Sequence, residues 1–133
     1  MTDLSDDRFL ALKAVMMPRD TNPYGTIFGG VILSYIDQAG AVGARHEINQ
    51  KGWPAKSIVT VAMDRVEFHE PVHVGDLVSF YTQLDRVGTT SITMHVTVET
   101  HRNSEPIKLT QANVTYVAVK QDGQVRQPIS LRG

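Results

Sequence analysis

The chain contains the sequence Asn22-Pro23-Tyr24-Gly25-Thr26-Ile27-Phe28-Gly29-Gly30-Val31-Ile32-Leu33-Ser34-Tyr35-Ile36-Asp37-Gln38-Ala39-Gly40-Ala41, which predicts a turn followed by a long helix. From residue 29 to residue 44 nearly every position is Val, Ile, Leu, Tyr, Ala or Gly, and a helix that is apolar on all sides is normally buried. Asp37 is the only charged residue between Asp20 and Arg45. If the helix is buried, this carboxylate must be hydrogen-bonded, have a shifted pKa, or line a cleft.

The rest of the chain predicts one strand before the helix and four strands after it. Alternating apolar residues favour a first strand over Arg8 to Met17, although a short helix fits nearly as well. The helix is expected to end between Arg45 and Asn49. Beyond it the hydrophobic period falls to two, which is typical of strands. These strands are predicted over Ser57 to Phe68, Leu77 to Val87, Ser91 to His101 and Ile107 to Lys120, followed by an Asp122-Gly123 turn and a polar tail.

One buried helix and a meander of strands favour an α+β fold in which an antiparallel sheet wraps around one long central helix. Five small residues of the helix let a curved sheet approach closely; they are Ala39, Gly40, Ala41, Gly43 and Ala44. A chain of 133 residues suffices for one hydrophobic core but not for two. We therefore predict a single domain over residues 1–133, with its core at about residues 10–128.

Composition restricts the function classes. The chain has 13 Lys and Arg against 14 Asp and Glu, and the basic residues are scattered, so a nucleic-acid surface is not indicated. It has no cysteine, and its five histidines lack metal-ligand spacing, so no metal site is expected. The segment Met1 to Asp7 is acidic rather than signal-like, and no apolar stretch reaches a membrane-spanning length. We expect a cytoplasmic protein without a membrane partner.

Gly29 and Gly30 stand at the expected helix start, where free N–H groups and the helix dipole can stabilise an oxyanion. Close packing is an equally good explanation of the two glycines. Asp37 lies eight residues beyond Gly29, which places it roughly 12 Å further along the same helix. If both groups act on one carbonyl, two chains must meet with antiparallel helices, so that Asp37 of each faces Gly29 of the other. A two-fold homodimer with two equivalent sites meets this requirement.

Taken alone, Asp37 has a simpler explanation as a satisfied or rim-exposed carboxylate. Asn22 has two possible roles as well. Its amide can polarise a substrate carbonyl or place a water molecule, or it can serve as a turn residue before Pro23. The combination of Asn22, Gly29 and Asp37 is more informative than any one of them.

That combination makes the chain similar to a known family. Asp20-Thr21-Asn22, Gly25, Ile27-Phe28-Gly29-Gly30 and Asp37, in this spacing, resemble the hotdog-fold acyl-CoA thioesterases and in particular the bacterial YciA-like acyl-CoA thioester hydrolases. The resemblance covers about Leu10 to Pro128. It includes the segments Thr60-Val61, Phe68, Pro71-Val72, Val74-Gly75-Asp76, Gly88-Thr89-Thr90-Ser91, Ser104-Glu105-Pro106 and Tyr116-Val117-Ala118-Val119.

The resemblance implies hydrolysis of acyl-CoA to free acid and coenzyme A. Asp37 would be the catalytic general base or nucleophile, Gly29 the backbone oxyanion donor, and Asn22 the group that polarises the carbonyl or places the water. The substrate-binding residues that it implies are Gly30, Thr60, Thr89, Thr90 and Ser91. Coenzyme A is then part of the substrate, and no cofactor is expected. Such proteins are homodimers at least, and usually tetramers or hexamers.

At two positions the sequence departs from the family pattern. Ala41 stands one helical turn after the acid, where some more distant members have a hydroxyl group, and Glu70 stands before Pro71, where a basic residue is frequent. The residues that contact the coenzyme A phosphates are therefore not assigned. The basic candidates are Arg65, Arg86, Arg102 and Lys108.

Two other functions fit the same fold. A dehydratase or hydratase acting on acyl thioesters uses a histidine paired with an acid, and no histidine lies between Asn22 and Asp37. A non-catalytic acyl-CoA-binding module is the second alternative. Release of thiol from acyl-CoA distinguishes a thioesterase from both.

Overall fold

The computed structural model describes residues 7–122 and 125–133, so the predictions made for residues 1–6 and for the turn at Gly123 lie outside the described residues. One long helix and six strands make up the described chain. In order they are β1 (Phe9–Val15), α1 (Gly29–Gln50), β2 (Ser57–Phe68), β3 (Leu77–Val87), β4 (Ser91–Arg102), β5 (Glu105–Asp122) and β6 (Val125–Pro128), with a short 3₁₀ helix at Pro18–Asp20 between β1 and α1.

The strands form one antiparallel sheet in the order β1-β3-β4-β5-β2, and β6 pairs with the end of β5. The helix α1 packs against this sheet along one face, and that face carries apolar and small residues. The buried residues of α1 are Ile32, Ile36, Ala39, Gly40, Gly43, Ala44 and Ile48. This arrangement confirms the predicted α+β hotdog fold.

Small residues set the distance between α1 and the sheet, as predicted. A Cβ atom on Gly43 would overlap the hydroxyl group of Thr82 on β3. A Cβ atom on Gly40 would likewise overlap the hydroxyl group of Tyr116 on β5. At both positions a larger residue would force the helix away from the strands, because packed interiors leave no spare volume.

The helix differs from the prediction in one respect, because it is not buried on all sides. Ser34, Gln38 and Val42 lie on its outer face, and Val42 is 44% exposed. The sheet of a single chain covers only the opposite face of α1. Val42 on the outer face therefore remains available to a further contact.

The two ends of the chain also refine the prediction. The segment before α1 is a strand, so the alternative of a short helix there is wrong. The predicted polar tail is wrong as well, because Val125–Pro128 forms β6 and Leu131 beyond it is fully buried. Backbone pairing with β5 supplies the hydrogen bonds of β6. Polar side chains do not prevent such pairing, which is why composition alone missed this strand.

No helix among the described residues is long and apolar enough to cross a membrane. The cytoplasmic location stays a prediction.

Candidate active site

Asp37 lies in the middle of α1 and is half-buried at the edge of the helix–sheet interface. Its Oδ1 atom accepts a hydrogen bond of 2.7 Å from the hydroxyl group of Thr60 on β2. Of the three possibilities open for this carboxylate, the structure therefore shows hydrogen bonding. The contact also brings together two of the predicted site residues that stand 23 positions apart in the sequence.

Tyr116 of β5 contacts Asp37 from the sheet. Its side chain is only 1% exposed, and its hydroxyl group donates a hydrogen bond of 2.6 Å to the main-chain oxygen of Asp37. The hydroxyl oxygen also lies 3.4 Å from Asp37 Oδ1. Burial, together with the neighbouring Asp37 carboxylate, raises the pKa of Tyr116 above its ordinary range. The phenol therefore stays protonated and remains a hydrogen-bond donor at all physiological pH values.

Thr60 and Tyr116 are direct partners in the pairing of β2 with β5. Because they are opposite each other on neighbouring strands, both side chains meet the helix at one point. The sheet register thus delivers one hydroxyl group to the carboxylate of Asp37 and another to its main-chain carbonyl.

Gly29 is the first residue of α1, after Phe28 in an extended conformation with φ −55° and ψ 136°. The first N–H groups of a helix have no intrahelical acceptor, and no acceptor for the Gly29 N–H occurs among residues 7–122 and 125–133. The helix dipole makes this end of α1 electropositive. The Gly29 N–H is therefore available as a donor, its role toward an oxyanion stays a prediction, and a Cβ atom on Gly30 would meet only open space.

A cleft of about 360 Å³ opens beside Gly29. Its lining is mainly apolar, and Phe68 forms one wall, with its Cζ atom 3.3 Å from where a Cβ atom on Gly29 would lie. The lining residues are Thr26, Ile27, Gly29, Ile32, Phe68, His69, Glu70, Pro71 and Val72. A predominantly apolar cleft next to free N–H donors suits an acyl thioester or the arm that carries it.

Arg102 fixes the loop that forms the far wall of this cleft. Its guanidinium group donates hydrogen bonds of 2.8 Å to the main-chain oxygen of Pro71 and to the carboxylate of Asp76. Asp76 in turn accepts a hydrogen bond from the main-chain N–H of His73. Arg102, one of the open phosphate candidates, is therefore engaged in holding the loop.

Asn22 organises the turn before α1. Its side-chain oxygen accepts hydrogen bonds from the N–H groups of Tyr24 and Thr26, at 2.9 and 3.2 Å, and its side-chain nitrogen donates to the Thr26 hydroxyl at 2.9 Å. The turn role considered from the sequence is thus realised. One N–H of the amide is not used in these contacts, so the predicted substrate role stays a prediction.

The structure does not bring all predicted site residues together. Asp37 and Gly29 belong to the same helix, eight residues apart, so their separation along the axis is roughly 12 Å. A single chain therefore cannot apply both groups to one carbonyl.

The turn of Gly88, Thr89 and Thr90 joins β3 to β4, which begins at Ser91, and it contacts β5 and the C-terminal residues. The main-chain oxygens of Thr89 and Thr90 accept hydrogen bonds from the N–H groups of Leu131 and Ala118. A second cleft, of about 480 Å³, opens beside this turn and the C-terminal residues. It is lined by Val87, Gly88, Thr89, Ser130, Arg132 and Gly133. Arg132 is a cation at this turn that the sequence did not single out.

The histidines do not gather at Asp37. His46 stacks on Phe9, and His95 shares a hydrogen bond with Asn113 on the other face of the sheet. His69 is the histidine that lines the cleft beside Gly29. Across the described ranges, no three His, Asp or Glu side chains group in a way that could hold a metal ion.

Comparisons with known proteins agree with this architecture. A model of the Thioesterase superfamily matches residues 24–107. The acyl-CoA thioester hydrolase YciA of Salmonella typhimurium is 39% identical over 129 residues, which cover 93% of this chain and 92% of that protein.

Solved structures give the same result. A hexameric hotdog fold thioesterase of Campylobacter jejuni is 48% identical, with a TM-score of 0.77 over 91% of this chain and 90% of that one. A hexameric broad specificity acyl-coenzyme A thioesterase, solved with one aspartate replaced by alanine, is 34% identical, with a TM-score of 0.80 over 92% of this chain and 86% of that one. The chain therefore belongs to the thioesterase superfamily and, within it, to the YciA-like acyl-CoA thioester hydrolases.

Proposed function

We propose that this chain hydrolyses acyl-CoA thioesters to a free carboxylic acid and coenzyme A, with Asp37 as the catalytic carboxylate. The observation that carries the proposal is the half-buried Asp37 side chain, one oxygen of which Thr60 holds, on a helix whose Gly29 N–H has no acceptor among the described residues. The named activity of the relatives supports the same reaction.

In one form of the mechanism Asp37 acts as a general base. It takes a proton from water while the water oxygen adds to the thioester carbonyl carbon, and the Gly29 N–H stabilises the resulting oxyanion. Collapse of the tetrahedral intermediate breaks the carbon–sulfur bond. The proton held by Asp37 then passes to the departing thiolate, which gives coenzyme A and the free acid.

In the other form Asp37 acts as a nucleophile. Its carboxylate oxygen bonds to the acyl carbon and expels the thiolate, and water then hydrolyses the mixed anhydride and restores the carboxylate. Both forms use water as the only co-reactant, and neither assigns a role to a metal or an organic cofactor. Both also need the Asp37 oxygen that Thr60 does not bind.

The proposed site is shared between two chains. Support comes from β2, which is an edge strand of the sheet. It carries exposed apolar side chains, since Val61 is 55% exposed and Phe68 is 54% exposed. An edge strand of twelve residues with exposed apolar side chains is a template for pairing with another chain. Two-fold pairing through β2 would set two α1 helices antiparallel, with Asp37 of each chain facing Gly29 of the other.

Further assembly and substrate contacts complete the proposal. Because the similar solved proteins are hexameric, we expect dimers of this chain to assemble into a hexamer. Gly30 and the cleft beside Gly29 would receive the thioester end of the substrate. Thr89, Thr90 and Ser91, with Arg132 nearby, would contact the coenzyme A end.

The test is a thiol-release assay over short, long, branched and aromatic acyl-CoA substrates, with Asp37→Asn as the variant. We expect thiol release by the wild-type protein and a loss of at least about a hundredfold in kcat for the variant. Asp85→Asn, the same substitution at an exposed residue of β3, is the matched control. Full activity of Asp37→Asn contradicts the proposal. Interconversion of enoyl-CoA and 3-hydroxyacyl-CoA without thiol release would favour the dehydratase, and saturable binding without any turnover would favour the binding module.

A further inference from the structure

We propose that Tyr116 is a positioning residue of this site, which holds Asp37 in place through the main chain of α1 and acts together with Gly40. The inference rests on the proposed catalytic role of Asp37. Tyr116 itself is buried and has no route to substrate.

The first support is the geometry of the hydroxyl group. A phenol has one proton to donate, and the 2.6 Å contact with the Asp37 carbonyl oxygen is a strong hydrogen bond, whereas the 3.4 Å contact with Oδ1 is too long to compete for that proton. A helical carbonyl has a second lone pair beyond its bond within the helix, and Tyr116 uses it. The hydroxyl group thus fixes the backbone of the residue that carries the reacting carboxylate.

The second support is that two neighbouring strands hold different parts of Asp37. Thr60 fixes Oδ1 of Asp37, and its strand partner Tyr116 fixes the main chain of the same residue. With both held, the remaining oxygen Oδ2 has a defined direction, and it has no hydrogen-bond partner in the described part of the chain. A general base or a nucleophile requires such an oriented, free oxygen.

The third support is the space that Gly40 leaves. A Cβ atom there would overlap the Tyr116 hydroxyl and lie 3.2 Å from Cζ and 3.3 Å from Cε2. Any side chain at residue 40 would displace either the hydroxyl group or the helix. The Tyr116 hydroxyl group can therefore contact the main chain of Asp37 only because residue 40 is a glycine.

The experiment compares Tyr116→Phe, Gly40→Ala and the double variant. Tyr116→Phe removes only the hydroxyl group, and we expect kcat per folded chain to fall about tenfold while KM stays within about twofold, because substrate contacts are untouched. Gly40→Ala should lower kcat further, since its methyl group must displace either the hydroxyl group or the helix. In the Tyr116→Phe background the alanine meets only ring carbons, so Gly40→Ala should cost much less there than in the wild-type protein.

Tyr81→Phe, on β3, is the matched control for loss of a phenol hydroxyl and should keep wild-type kcat. The folded fraction of each variant is measured by circular dichroism, and Gly40→Ala serves as the probe if Tyr116→Phe does not fold. Unchanged kcat in Tyr116→Phe, or equal costs of Gly40→Ala in both backgrounds, overturns the proposal. Asp37→Asn is assayed in parallel to separate the two proposals. If Asp37→Asn is inactive and Tyr116→Phe has wild-type kcat, only the positioning role of Tyr116 is refuted. If Asp37→Asn is active, the proposed function is refuted.

Discussion

Gly40 leaves the space that the hydroxyl group of Tyr116 occupies. A Cβ atom on Gly40 would overlap that hydroxyl group. Because Gly40 has no side chain, the hydroxyl group approaches within 2.6 Å of the main-chain oxygen of Asp37. A glycine and a tyrosine, 76 positions apart in the printed sequence, therefore set the distance between helix and sheet at the proposed catalytic residue.

The raised pKa of Tyr116 predicts how stability depends on pH. Below about pH 10 both the folded and the unfolded chain hold the phenol proton, so the stabilising contribution is complete. Above about pH 10 the unfolded chain releases the proton whereas the folded chain retains it, so the free energy of unfolding falls by up to about 1.4 kcal/mol per pH unit for this group.

Urea unfolding of wild-type protein and Tyr116→Phe between pH 8 and pH 11, at one protein concentration, measures this effect. The two proteins differ in one hydroxyl group, so the contributions of all other groups are common to both and cancel in the difference. We expect the stability advantage of the wild-type protein to shrink as the pH rises above about 10. A difference that is constant over the whole range would show that Tyr116 titrates normally in the folded chain.

Gly29→Pro tests the proposed oxyanion donor. Proline removes the N–H group but suits the first position of a helix, and the extended Phe28 is compatible with a following proline. We expect kcat to fall about a hundredfold or more with little change in Tm. Gly29→Ala is the control, since it adds a Cβ atom against Phe68 and keeps the N–H group. Equal activities of the two variants would remove the Gly29 N–H from the mechanism.

Asn22→Asp separates the two roles of Asn22. Aspartate keeps the oxygen that accepts from Tyr24 and Thr26, and the Thr26 hydroxyl can then donate to it, so the turn should persist. If the amide N–H polarises the substrate carbonyl, kcat/KM should fall about a hundredfold at unchanged Tm. Asn49→Asp near the other end of α1 is the control. Wild-type activity in Asn22→Asp would limit Asn22 to the turn.

Periodic patterns predicted most of the fold. The change from a helical to a two-residue period after residue 50 placed β2, β3, β4 and β5 nearly as observed, because side-chain burial imposes that period. The strand β6 was missed because its pairing depends on the backbone of β5 rather than on apolar side chains. Exposure of Val42 was missed because composition does not tell which face of a helix a single sheet can cover.

The site was predicted less completely. Gly29 and Asp37 lie on one helix, so the distance between them could be predicted from their spacing in the sequence. Thr60 was expected, from family resemblance alone, as a substrate-binding residue, and neither its hydrogen bond to Asp37 nor the role of Tyr116 was predicted. Both contacts depend on how β2 and β5 are aligned, and that register includes bulges between Thr60 and Ala62 and between Asp64 and Glu67. A local pattern carries no signal for such an alignment.

In the proposed dimer Asp37 and Gly29 of two different chains form one site, and mixed oligomers of Asp37→Asn and Gly29→Pro test this sharing. In a mixed dimer one shared site carries both defects and the other carries neither, so random mixing should restore roughly a quarter of wild-type thiol release per chain. The two variants are refolded together and compared with each variant refolded alone. If each site belongs to a single chain, every site carries one defect and the mixture stays as inactive as its parents; that result would contradict a site shared between two chains.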